Sequence, residues 1–445
     1  VFRRVEPLLA HPRLRWCWRF AAVLAIARIV LIGTFIVDPR FGLGALAEDP
    51  FYRSHSCLTA YWRAGALAKQ GGVDIYDPEL YDGKIDGFDV DPYVYPPPFL
   101  LWPSAAALFT ARFAPIRTAW FVVELAMFVW AFGSVAAWIG GRRGARCILW
   151  APLVVTGLPV LLGLQMGNFH LAAVALAMLG MLAAEKEQPI RAGLGLALAT
   201  SAKIFPGILL VVLLARRKPR PVLFTLAWLV VFTGATVALF GTAPLNAFLD
   251  APLRRMVALD ADHWERPELF GTVNSSVFGL ALKIRALGVP IVPGLATLLA
   301  MLYGVGLLTV AIGAGRTASS TDTTLSSSPP EEDGRDEESR LFEAQTWLAF
   351  LTLASLRAPF APDAYAGAPA IWLLALVAAS ARRPRNAWLA VLFLLLWIVL
   401  PSRTAAPRIE GFRLPFSLAA QLAILGLAGT IAWDAFRRSS HRRPA

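Results

Sequence analysis

Lys203 stands in an apolar run that opens near Leu194 and closes near Ala215, and Phe205 and Pro206 follow it within the stretch SAKIFPG. A cation at the centre of a bilayer costs at least about 2.5–3.5 kcal/mol, so it needs a polar partner or a wet cavity. It lies about 12 residues, roughly 18 Å of helix, from the basic end of that run, too far for its stem to reach the interface easily. The other groups able to move protons or hold anions gather in two polar segments. Residues 38–94 carry Asp49, His55, Asp74 and Asp77, and lead through Tyr93 into YVYPPPF, where Tyr95 precedes three prolines. Residues 242–286 carry Arg254, Arg255, His263, Trp264 and Asn274. Asn168 and His170, in MGNFH, fall at a break between two short apolar runs, and Arg357 stands at the end of another.

The elements that must position these groups are membrane helices. Of 445 residues, 57% are hydrophobic and 16% charged, well short of the roughly 25% charged residues of a soluble domain. Apolar stretches long enough to cross a hydrocarbon core recur along the chain, and they are continuous rather than alternating, which excludes a β-barrel. The fold class is therefore an all-α polytopic membrane protein. The net charge of +12 does not point to nucleic acid. Its basic residues cluster beside apolar spans, at Arg3/Arg4/Arg13/Arg15, Arg216/Arg217/Lys218/Arg220, Arg382/Arg383/Arg385 and Arg437/Arg438/Arg442/Arg443, as cytoplasmic loops do. Cys17, Cys57 and Cys147 have neither zinc spacing nor a disulfide pattern.

Laid out by charge and hydropathy, the chain predicts twelve spans with both termini cytoplasmic. They fall at 16–37, 95–112, 118–139, 147–164, 168–184, 191–215, 222–241, 289–313, 341–357, 365–381, 386–401 and 414–435. The first reads as an anchor and not as a cleaved leader. Residues 38–94 and 242–286 become two large outer loops with interfacial helices, at 58–69 and after Asn274. Residues 316–340, rich in Ser, Pro and acids, read as a disordered cytoplasmic loop. This layout leaves Arg142, Arg143 and Arg146 outside, against the charge rule. No internal repeat of broken spans stands out.

Five ordered stretches resemble the GT-C class of integral-membrane glycosyltransferases, most closely glycosyltransferase family 87, which includes polyprenyl-phosphate-mannose-dependent α-mannosyltransferases. They are GGVDIYD (71–77) with YVYPPPF (93–99), MGNFH (166–170), KIFP (203–206), NSS (274–276) and APFAPDAY (358–365). The sequence departs from the family pattern in two places. SHSCLTAYW (54–62) lacks the Asp that usually precedes an aromatic-rich interfacial helix, and Asp363 and Tyr365 stand near the place of a His-His pair.

The resemblance implies one GT-C-like domain in a bacterial plasma membrane, acting on its outer face. It implies an inverting transfer of a sugar, mannose by analogy, from a polyprenyl-phosphate donor to a glycolipid or cell-envelope glycan. Membrane lipids are the other partners, and no cofactor or metal is required. An outer-loop base would take the acceptor proton, and Asp49, His55, Asp74 and Asp77 are the candidates. His55 falls where the family's Asp would be; Asp74 and Asp77 flank Tyr76 in a Gly-rich turn and read more readily as structural. Lys203, Arg254, Arg255 and Arg357 are candidates for the donor phosphate. Tyr93, Tyr95, Asn168, His170, His263, Trp264 and Asn274 are candidates for substrate contact, against plainer roles as interfacial aromatics and helix caps. A transporter of a lipid-linked saccharide, or an inactive relative, is the alternative.

Overall fold

The computed structural model describes residues 12–45, 50–110, 112–250, 271–321, 333–358, 360–380 and 413–440. It is helical apart from a small hairpin of β1 (Lys84–Ile85) and β2 (Phe88–Asp89), paired Lys84 to Asp89 and Ile85 to Phe88. Among the described residues five helices are long and apolar enough to cross a membrane, or six if one bent pair counts as a single span. These long apolar helices make the chain an integral membrane protein. Twelve crossings do not emerge from the described residues, and the span expected at 386–401 lies outside them.

In chain order the helices are α1 (Pro12–Val37), α2 (Pro50–Ser54), α3 (Leu58–Gln70), α4 (Leu101–Ala106), α5 (Phe113–Ile139), α6 (Gly141–Val155), α7 (Leu158–Met166), α8 (His170–Glu185), α9 (Pro189–Ala202), α10 (Ile208–Ala215), α11 (Pro219–Phe240), α12 (Ala243–Asp250), α13 (Val277–Ala286), α14 (Pro293–Thr321), α15 (Asp333–Ser355), α16 (Asp363–Ser380) and α17 (Arg413–Ser440). Several open on a proline, whose missing N–H is one of the donors a first turn leaves unused anyway. Positive-φ glycines end α5 and α11, Gly140 at φ 76° and Gly241 at φ 72°.

The ends of the helices sort into two faces. At one face Arg117, in the first turns of α5, donates to Ile36 O at the end of α1 (2.9 Å), and Phe113 meets Phe88. At the other, Arg340 donates to Trp138 O at the end of α5 (3.3 Å), and Arg143 pairs with Glu338 at 2.6 Å. Glu185 at the end of α8 pairs with Arg216 (2.8 Å) and Lys218 (3.0 Å), and Arg216 also pairs with Glu343. The Arg438 guanidinium lies 3.8 Å from the centroid of the Phe342 ring. Arg143, Arg216, Lys218 and Arg438 therefore share one basic face. The sequence layout separates Arg142, Arg143 and Arg146 from the Arg216 cluster; the structure reunites them.

Two expected spans turn back instead of crossing. Residues 95–112 form a 3₁₀ turn (Pro97–Leu100) and the six-residue α4, and the chain re-enters α5 at the face it left. Pro96 to Pro98 and Pro103 remove the amide donors that a continuous helix needs. Residues 191–215 rise as α9, break at Lys203, which is extended (φ −142°, ψ 125°), pass through a 3₁₀ turn at Phe205–Gly207, and descend as α10. The pairs of Glu185 with Arg216 and Lys218 bring both ends of this hairpin to the basic face, so Lys203 occupies its tip. Gly193 lets α9 close on α11, where an added Cβ would stand 2.5 Å from Phe224 Cβ.

α6 and α7 are bent by 59° around Thr156 and Gly157, where Pro159 can donate no amide to the preceding turn. The bent pair carries the chain from Arg143 to Met166 at the opposite face. Of the segment expected to be disordered, 316–340, residues 316–321 and 333–340 are helical, and 322–332 lie outside the described residues. An Asp336–Arg340 pair one turn apart (3.8 Å) and the contacts of Glu337 and Glu338 with Arg143 stabilise the start of α15 despite its polar composition.

Candidate active site

The face opposite the basic one is built on a splice between distant segments. Cys57 N donates to Met166 O at 2.8 Å, tying the start of α3 to the end of α7. Gly167 makes this junction in the left-handed region (φ 66°), and Asn168 N turns back onto Gly163 O. Asn168 then serves two neighbours. Its Oδ1 accepts from His170 N (3.0 Å), starting α8, while its Nδ2 faces Cys57 Sγ (3.3 Å) and Tyr95 Oη (3.1 Å). Glu124 of α5, fully buried, accepts from Ala172 N in the first turn of α8 (3.3 Å), where a helix favours a carboxyl group.

Tyr95 is the hub. Its Oη accepts from Tyr61 Oη at 2.7 Å, from Asn168 Nδ2 and from Lys203 Nζ at 3.1 Å. Lys203 Nζ also lies 4.2 Å from the centroid of the Tyr95 ring, a cation–π contact. His170 stacks on Phe205 beside the hairpin tip, with centroids 4.6 Å apart. Three donors, one of them a lysine ammonium, thus converge on a single neutral phenol oxygen.

From Cys57 the polar chain runs outward to His55 Nε2 (3.7 Å) and from there to Asp91 Oδ2 (3.2 Å). Phe51 stacks on the His55 ring at 4.3 Å, and a backbone bridge joins His55 to Asp89. Thr59 Oγ1 accepts from Asp91 N (3.2 Å) and donates to Asp89 O (3.0 Å), fixing this strand against α3. Burial pushes the His55 imidazolium below its ordinary pKa, opposed by Asp91 and Asp89. Burial likewise raises the Asp91 carboxyl, opposed by His55. A neutral His55 with its proton on Nε2, shared with Asp91, presents a lone pair on Nδ1.

Other expected residues have different roles. Asp74 Oδ1 accepts from Tyr76 N (2.9 Å) and Asp77 Oδ1 from Glu79 N (3.0 Å), so both hold turns. Tyr93 is buried and donates to Pro96 O (3.2 Å), and burial holds its phenol far above the ordinary pKa. Asn274 Oδ1 accepts from Ser276 N (3.0 Å) and Ala361 N (2.9 Å), clamping two loops. The N-cap of α13 is Ser276, which accepts from Gly279 N (2.9 Å). Arg357, half-buried just past α15, stands against Gly304 of α14. Asp49, Arg254, Arg255, His263 and Trp264 lie outside the described residues.

Sequence reasoning missed Cys57, Tyr61, Asp91 and Glu124. Asp91 had a signal, its place in DVDPYVYP four residues before the hub tyrosine. It missed also Arg28, an arginine within the first span, whose Nη2 bonds Gly44 O (3.1 Å) and Ala45 O (2.6 Å) and draws that loop inward. Gln165 extends the same tether, accepting from Ala45 N and donating to Tyr52 O (2.6 Å).

A family model for glycosyltransferase family 87 matches residues 93–327, more than half of the chain, and the chain belongs to that family. No curated protein and no solved structure matches it. The matched stretch contains Tyr95, Asn168, His170 and Lys203, while His55, Cys57 and Asp91 precede it. Family membership makes the protein a glycosyltransferase of the membrane, with a sugar donor and an acceptor as its substrates.

Proposed function

We propose that this family 87 glycosyltransferase moves a sugar, mannose by family analogy, from a polyprenyl monophosphate to a lipid-linked or cell-envelope glycan with inversion. The observation that carries the reading is the hairpin tip that sets Lys203 Nζ 3.1 Å from Tyr95 Oη, with Asn168 and Cys57 linking that point to the His55–Asp91 pair. The donor phosphate sits at Lys203, Tyr95 and Asn168. The acceptor hydroxyl attacks the anomeric carbon from the side away from the phosphate, its proton passes to His55 Nδ1, and the carbon–oxygen bond to phosphate breaks. The phosphate leaves with the bonding electrons, and Lys203 stabilises its charge. Asp91 positions the imidazole and stabilises its charged form. Arg254, Arg255 and Arg357 are further phosphate contacts in this reading, His263 and Trp264 sugar contacts, and Asp49 the competing base.

The test is transfer from radiolabelled polyprenyl-phospho-mannose to total membrane glycolipids by purified wild type, His55→Ala, Asp49→Asn and Lys203→Ala. Transfer abolished by His55→Ala and weakened by Lys203→Ala is the expected result. Loss with Asp49→Asn alone would reassign the base. Failure of wild type both to transfer and to bind the donor would sink the transferase reading in favour of transport.

A further inference from the structure

We infer that His55, Cys57 and Asp91 form a binding site for one divalent transition-metal ion of the zinc class, and that an ion bound there occupies the imidazole that the proposed transfer reaction uses. An imidazole nitrogen, a sulfur and a carboxylate oxygen have converged so that all three ligand atoms lie within 4.8 Å of one another. The separations, 3.7 Å from Cys57 Sγ to His55 Nε2 and 3.2 Å from His55 Nε2 to Asp91 Oδ2, suit a tetrahedral ion. Two ligands about 2.0–2.3 Å from a tetrahedral centre stand roughly 3.4–3.6 Å apart. The mix of nitrogen, sulfur and oxygen favours zinc or cobalt over magnesium or calcium, which prefer oxygen alone.

The ligands are held before any ion arrives. Cys57 is fixed by its amide on Met166 O, His55 by the Phe51 stack and the bridge to Asp89, and Asp91 by Thr59. Cys57 is buried, whereas the side chains of His55 and Asp91 keep 16% and 25% of their surface, so the trio is reached from one side. Three protein ligands leave a four-coordinate ion one position for water or a substrate oxygen.

Binding has a defined proton balance. The Cys57 thiol loses its proton to solvent on binding. A neutral imidazole has one free lone pair, so an ion on Nε2 moves the ring proton to Nδ1 and removes the acceptor that the transfer reaction uses. The metal site stands on the geometry alone; the inhibition rests on the proposed role of His55.

The experiment adds Co²⁺ to the purified, chelator-treated full chain and records absorption. Wild type is expected to show a thiolate-to-cobalt charge-transfer band at one ion per chain, displaced by Zn²⁺. The band should survive in Cys17→Ser/Cys147→Ser and disappear in Cys57→Ser. No band in folded wild type, or a band that survives Cys57→Ser, overturns the site without reference to activity. In the transfer assay Zn²⁺ is expected to inhibit, with recovery on chelation. Activation by Zn²⁺ would leave the metal site standing and overturn His55 as the metal-silenced base.

Discussion

Lys203 Nζ and Tyr95 Oη stand 3.1 Å apart although one residue tips a hairpin rising from the basic face and the other opens a proline turn at the site face. Their meeting answers the question that a lysine in an apolar run raises. The charge sits where the helix has ended, against a phenol oxygen and its ring. Replacing Lys203 by Met is expected to lower kcat/KM for the lipid-phosphate donor about 10–100-fold, the scale of one charge-assisted hydrogen bond of about 1.5–3 kcal/mol. Tyr95→Phe keeps the ring and should lose less. Donor titrations check this; an effect confined to the acceptor would remove the phosphate from this point.

The His55–Asp91 pair sets a pH dependence, read with chelator present. Burial lowers the His55 pKa, so the neutral base persists below the ordinary imidazole range and the acid limb of kcat/KM falls at a pH under about 6.5. Asp91 works in the opposite direction, raising the His55 pKa. Asp91→Asn should therefore move the limb to still lower pH while the plateau rate drops about 100-fold or more. The same lowered pKa removes stability as pH falls through that range, because the unfolded chain binds the proton more readily. A limb unmoved in Asp91→Asn would detach the aspartate from the base.

Arg216 is buried between Glu185 and Glu343 and locks the ends of the hairpin together. Removing Arg216 strips Glu343 of its cation while Glu185 keeps Lys218, a loss of about 1.5–3 kcal/mol on the scale of a charge-assisted hydrogen bond. Arg216→Leu should lower the unfolding temperature sharply in detergent. Arg40→Ala, which breaks an exposed pair with Asp38, should leave it near wild type. Equal melting temperatures for the two would deny the hairpin its lock.

Gly167→Ala tests the splice at Met166. Its φ of 66° costs an L-residue roughly 1–2 kcal/mol, and the new Cβ would approach Leu58 Cδ1 to 2.6 Å. A drop in stability together with lost transfer is expected, since Leu58 begins the helix that follows Cys57. A stable variant of normal activity would show that the Cys57–Asn168 contact tolerates displacement.

How much of this was legible depends on the range of the interaction. Membrane character, Lys203 as a special residue, and the place of Tyr95 before its prolines followed from composition and local chemistry. Asp91 and Cys57 did not, because their significance comes from a fold that lays a strand beside His55 and joins Cys57 to Met166. Asp74 and Asp77 attracted notice through a motif, and local geometry explains them as turn caps. The disordered reading of 316–340 rested on polarity, which ion pairing across to Arg143 overrides at the start of α15.

The two turned-back segments change the sidedness of everything between them. Counting 95–112 as a crossing inverts the assigned side of residues 113–190, and counting 191–215 as another restores it. The errors cancel after Ala215, so a hydropathy map looks sound at its carboxyl end while mislabelling its middle. Impermeant labels placed at residues 143, 187 and 217 all react from one side of the membrane, and a label at residue 114, exposed at the start of α5, reacts from the other.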